Sequence, residues 1–140
     1  AKLDRQQALS MAILHDWAEA LVADFPYTAL KYLGSEDLKK RMEGKALDDL
    51  LRDLPSGGRY LKLWQEYNEK RTPEAKLVHA ADYISMMVQA IKYKERGNRS
   101  KELDELWRAL HADLKTYMAE FKPVKDLVKE FDKRYSTISS

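Results

Sequence analysis

The sequence predicts an all-α bundle of about six helices. Apolar residues recur at spacings of three and four through most of the chain. The periodic runs open on Asp, Ser, Thr or proline and close near glycine or proline, and no stretch alternates apolar and polar residues as a half-buried strand does. The 140 residues show no break in composition, so residues 1–140 are read as one domain, long enough for a single core.

Leu3 to Ala23 reads as one helix, apolar in almost every direction, with Asp4 as N-cap. Pro26 biases Phe25 away from helical backbone, so the helix should end near Asp24. Tyr27 to Leu33 is a connection, and Ser35 caps a helix running to about Leu54 with Leu38, Met42, Ala46, Leu50 and Leu54 as its core stripe. Pro55-Ser56-Gly57-Gly58 reads as a helix-helix turn. Arg59 to Lys70 follows as helix with Leu61, Trp64 and Tyr67 inward. Thr72 and Pro73 start a long helix to Gly97, with a core line through Leu77, Ala81, Ile84, Val88 and Ile91 and a second line through His79, Asp82, Met86 and Gln89. Lys92 to Lys101, around Gly97, reads as a solvated basic helix end. Ser100 to Phe121 and Pro123 to Tyr135 form the last two helices, before a polar tail.

Composition narrows the function. With 44% hydrophobic and 34% charged residues and no apolar run near the roughly 20 residues that span a bilayer, the expectation is a soluble, cytoplasmic protein with no membrane partner. A net charge of +2 argues against dedicated nucleic-acid binding. The absence of cysteine removes thiolate nucleophiles and Cys-ligated zinc, leaving His, Asp and Glu as metal ligands.

The chemistry concentrates in Met11-Ala-Ile-Leu-His15-Asp16-Trp17-Ala-Glu19-Ala-Leu-Val-Ala-Asp24. Ionisable groups in so apolar a helix need partners, since burying them alone costs several kcal/mol. A core His hydrogen-bonded to a core carboxylate would satisfy that need, and so would a divalent metal. In a regular helix of about 100° per residue His15 and Glu19 share a face, whereas Asp24 points away unless the chain turns back at Pro26. Asp82 stands in a second apolar stretch, Val78-His-Ala-Ala-Asp82-Tyr-Ile. Packing the two helices together would join an imidazole and two carboxylates, a ligand set that suits Mn, Fe, Co, Ni or Zn without choosing among them. Such a metal leaves positions for water and a phosphate oxygen, with Glu19 and Asp24 as spare carboxylates for water and the leaving group.

Leu14-His15-Asp16-Trp-Ala-Glu19, Asp24-Phe-Pro26 with Lys31-Tyr32, Leu63-Trp64-Gln-Glu66-Tyr67, Pro73-Glu74-Ala75 and Leu77-Val78-His-Ala-Ala81-Asp82 together resemble the HD-domain phosphohydrolases, in particular their 5′-deoxynucleotidase branch. The resemblance extends over roughly Ala8 to Gly97 and implies an HD-domain helical bundle with a divalent metal ion. It implies His15, Asp16 and Asp82 as metal ligands, Glu19 and Asp24 as the catalytic acids, and Lys31 as a substrate contact. The implied substrates are deoxyribonucleoside 5′-monophosphates, and the implied assembly is a homodimer. A helical module that binds metal or nucleotide without turnover is the alternative. Two departures stand out. The family's first ligand, a His on a preceding helix, has no counterpart in Ala1 to Leu14, so that helix is expected upstream of Ala1. His79 stands where relatives usually carry Lys; one turn before Asp82, it could reach the metal or face solvent, and solvent is the expectation. Leu106, Trp107, Leu110, Leu114, Tyr117, Met118 and Phe121 exceed what one core stripe needs, and some of that surplus is read as a dimer interface.

Overall fold

The computed structural model describes residues 3–26, 29 and 32–138, and all regular structure among them is helical, as the sequence predicts. The helices are α1 (Arg5–Leu14), the single turn α2 (Glu19–Val22), α3 (Glu36–Leu51), α4 (Gly57–Glu69), α5 (Pro73–Glu95), α6 (Lys101–Glu120) and α7 (Lys122–Thr137). The chain divides into two compact units, Ala1–Ala75 and Lys76–Ser140.

The helix starts are those the sequence marks. Asp4 accepts a hydrogen bond from the Gln7 N–H at 3.0 Å, Ser35 from Leu38 at 3.3 Å, Thr72 from Ala75 at 3.3 Å and Ser100 from Leu103 at 3.3 Å. Each satisfies one of the donors that a first turn leaves orphaned. Gly97 closes α5 at φ +94°, a left-handed conformation that costs glycine little.

In the first unit α1 packs on α4, α2 on α3 and α3 on α4. Ala18, Ala46, Leu47, Leu51 and Trp64 form the core, bordered by Val22, Tyr60 and Leu61. The expected single helix from Leu3 to Ala23 is broken: after Leu14 the N–H groups of Trp17, Glu19, Ala20 and Leu21 reach back three residues rather than four. The cause is Trp64. Its indole N–H donates to the carbonyl of His15 at 3.2 Å, the acceptor Glu19 would use in a regular helix, and the Glu19 N–H turns to Asp16 at 3.0 Å instead.

The α3 stripe also needs correction. Leu38, Leu50 and Leu54 are exposed, and the core takes Ala46, Leu47 and Leu51. Strict spacing by four drifts about 40° per step around a helix of 3.6 residues per turn, so both ends of such a line leave the interface. Pro55 to Gly58 is partly helical, since α4 begins at Gly57. A methyl group on Gly57 would overlap the Leu51 carbonyl oxygen and lie 3.0 Å from its carbon. Gly57→Ala should therefore cost about 1–3 kcal/mol through forced backbone movement, read as a lower urea midpoint. An unchanged midpoint would refute the close approach.

The second unit is built on Ala80, Met87, Ala90 and Ile91 of α5, Leu103, Trp107, Leu110 and Leu114 of α6, and Val124, Val128 and Tyr135 of α7. Ala81, expected inside, is exposed, whereas Ile91 is core as expected and is joined by Ala80, Met87 and Ala90, the alanines being small enough for close helix approach. Tyr135 stacks on Trp107 at 3.9 Å between centroids, donates its hydroxyl to Asp104 at 2.7 Å and carries the Lys94 ammonium 3.7 Å from its ring centre. Burial and then Asp104 hold that phenol above its ordinary pKa. Three of the side chains read as interface surplus, Trp107, Leu110 and Leu114, are core of this unit, and Leu106 is exposed.

Candidate active site

His15 is the C-cap of α1, half-buried beneath α4. Its backbone carbonyl is held by Trp64, and its ring meets Tyr67 edge-on at 5.5 Å. Its Nδ1 lies 2.8 Å from the Ala12 carbonyl oxygen, which can only accept, so Nδ1 is the nitrogen that donates. An imidazole anchored through Nδ1–H to a backbone carbonyl is the arrangement of a metal-binding His with its outer support in place. Asp16, exposed, has a carboxylate oxygen 3.7 Å from that Nδ1. The pair therefore fits a divalent ion in donor type and tautomer. Within either unit taken alone, no three described His, Asp or Glu side chains are grouped to hold a metal.

Glu19 opens α2 and is half-buried. In a turn bonded three residues back each step advances about 120° instead of about 100°, so Glu19 leaves the His15 line and comes over Asp16. Burial raises its carboxyl pKa first, Asp24 and Asp16 raise it further, Lys39 opposes them, and Glu43 adds to the rise. Asp24 acts on Glu19 because the chain does turn back. Ala23 takes φ 61° and ψ 164°, ends α2 and accepts a backbone position that side chains rarely adopt. The exposed Asp24 thus follows a sharp reversal, as Pro26 suggests.

In the second unit Asp82 is half-buried on α5, and its backbone carbonyl accepts from the Ser85 hydroxyl at 2.7 Å. His79, expected in solvent, is only 8% exposed. Among the described residues no buried side-chain nitrogen or oxygen lacks a partner, so its burial is compensated. Lys31 lies outside the described residues. Lys39 and Glu43 on α3 both act electrostatically on Glu19, and sequence reasoning did not single them out. Their spacing of four on α3 is a signal that reads by default as a solvated pair.

Residues 1–122 match the HD domain family. The 5′-deoxynucleotidase HDDC2 of Xenopus laevis is 31% identical over 110 residues, 77% of this chain and 53% of that protein. That of Dictyostelium discoideum is 32% identical over 101 residues, 70% of this chain and 51% of that protein. The chain thus spans about half the length of these curated relatives. A conserved hypothetical protein from Pyrococcus furiosus, 32% identical, superposes with a TM-score of 0.66 over 92% of this chain and 69% of its own. With the His-Asp pair that follows α1 inside the matched residues, the chain belongs to the HD-domain family.

Proposed function

We propose that the protein is a metal-dependent phosphohydrolase that releases phosphate from deoxyribonucleoside 5′-monophosphates. The observation that carries this reading is the His15 ring, anchored through Nδ1 on the Ala12 carbonyl, beside Asp16 and near Glu19, an acid with a raised pKa. The relatives named 5′-deoxynucleotidase supply the substrate class. His15, Asp16 and Asp82 would hold the ion. A divalent metal there supplies positive charge against the phosphate ester and acidity to the attacking water.

The rest is work for the chain's own carboxyls. Water oxygen bonds to phosphorus and releases one of its two protons to solvent, the bond from phosphorus to the 5′ oxygen breaks, and the departing alkoxide needs a proton, which solvent afterwards restores to its donor. Glu19, whose carboxyl holds its proton to higher pH than an ordinary glutamate, is suited to deliver it. Asp24, more exposed, is suited to orient the water. Lys31 is proposed as a substrate contact. No helix among the described residues is long and apolar enough to cross a membrane. A cytoplasmic homodimer belongs to the same proposal, to be checked by sedimentation.

The test is phosphate release from a panel of nucleoside 5′-monophosphates with Mn2+, Co2+, Ni2+, Fe2+ or Zn2+, alongside elemental analysis of the protein. Turnover of deoxyribonucleotides with bound metal is the expected result. Asp82→Ala should abolish metal occupancy while keeping the helices, because the buried charge leaves together with its counter-ion. Full metal content in that variant, or no release from any nucleotide, would overturn the reading.

A further inference from the structure

Helix α4 grips His15 at two points. Buried Trp64 donates its indole N–H to the His15 carbonyl at 3.2 Å. Tyr67, only 7% exposed and one turn further along the same helix face, meets the imidazole edge-on at 5.5 Å between ring centroids and 60° between planes. A third hold is at Nδ1, 2.8 Å from the Ala12 carbonyl oxygen. With Nδ1 engaged, Nε2 is the ring nitrogen left to meet an ion, and a side chain 23% exposed is open enough to be reached.

A hydrogen bond at one ring atom does not fix a plane. The terminal torsion of histidine is a broad well and an N–H···O angle stays favourable down to about 150°, so the Ala12 bond alone leaves the imidazole roughly 30° of swing. A ligating side chain has to be held to about 10–20°. The contact that closes this gap is the tyrosine ring. Turning the imidazole one way drives it into the phenol ring, and turning it the other way opens a void in a packed interior. Tyr67 has nowhere to retreat, because α4 packs on α1 and is bonded through Trp64 to the same histidine. Resting on the assignment of His15 as a metal ligand within the phosphohydrolase reading, we propose that Tyr67 is a positioning residue whose ring fixes the plane of the His15 imidazole and so the direction in which Nε2 points. The role belongs to the ring, so phenylalanine can fill it.

The test uses the full chain with Tyr67→Phe and with Tyr67→Met, which keeps much of the apolar volume without a ring. Tyr67→Met should weaken Co2+ binding about ten- to a hundredfold, the scale for loss of a group that orients a ligating histidine, and Tyr67→Phe should retain it. Against His15→Ala, which itself weakens binding, Tyr67→Met should add no further loss. A second readout needs neither metal nor turnover. The chain has three histidines, so ring 13C relaxation of the metal-free protein reports on His15 with His79 and His111 as internal controls. In the parent the His15 ring should be as ordered as rigid backbone, with an order parameter of about 0.85. It should loosen in Tyr67→Met, stay ordered in Tyr67→Phe, and leave the other two rings unchanged. A mobile His15 ring in the parent, an unchanged ring or Co2+ affinity in Tyr67→Met, a loss in Tyr67→Phe as large as in Tyr67→Met, an added loss on top of His15→Ala, or loosening of all three rings together would overturn the proposal. A parent that binds Co2+ but hydrolyses no nucleotide would sink the phosphohydrolase reading and leave this one standing, whereas a parent that binds no Co2+ would sink both.

Discussion

Glu19→Gln should leave the helices and the metal content intact and lower kcat by roughly 10²–10⁴-fold, the range for loss of a positioned acid or base. The amide keeps the shape of the side chain and removes only the proton. Asp24→Asn should also retain metal, since neither residue is assigned as a ligand. If either variant loses metal as completely as Asp82→Ala, the division of roles is wrong. The same substitution has a second consequence. In the metal-free protein Glu19 has its pKa raised above the ordinary 4.5, chiefly by burial, so around that pH the folded chain binds more protons than the unfolded one. Its contribution to stability is fully present below 4.5 and is lost as pH rises through the raised value. Glu19→Gln should therefore have a higher urea midpoint than the parent at neutral pH, and the difference should close in acid. A lower midpoint at neutral pH would mean that the glutamate is held by partners rather than penalised by burial.

The parts of this molecule that could be read in advance are those fixed by local chemistry. Asp4, Ser35, Thr72 and Ser100 cap because their side chains reach backbone N–H groups three residues on, which depends on nothing distant. The reversal that brings Asp24 to bear on Glu19 was legible in Pro26, although the strained φ falls on Ala23. What could not be read depends on partners far along the chain. Nothing in residues 11 to 24 announces a helix break at His15, because its cause is an indole 49 positions away. The half-buried character of Lys39 and Glu43 is likewise tertiary, and their spacing alone does not contain it. The place of His79 one turn before Asp82 leaves solvent open to it, and the burial that takes it out of solvent is tertiary.

Trp64→Ala should destabilise the protein by about 3–5 kcal/mol, the cost of emptying a buried tryptophan site. The residue is 5% exposed and lies in the core with Ala18, Ala46, Leu47 and Leu51. Against a total stability of about 5–15 kcal/mol that loss is large enough to unfold much of the population on warming. The more informative variant is Trp64→Phe, which keeps much of the apolar contact and removes the N–H. The His15 carbonyl then loses its donor, at about 1 kcal/mol, and becomes available to the Glu19 N–H. Restoring that bond would regularise the helix and rotate Glu19 off Asp16 toward the His15 face, with kcat falling while His15 and Asp16 keep their metal. Hydrogen exchange at the Glu19 amide reads the backbone change, and phosphate release reads its effect. An unchanged exchange rate and an unchanged kcat in Trp64→Phe would show that the indole donor does not shape the site.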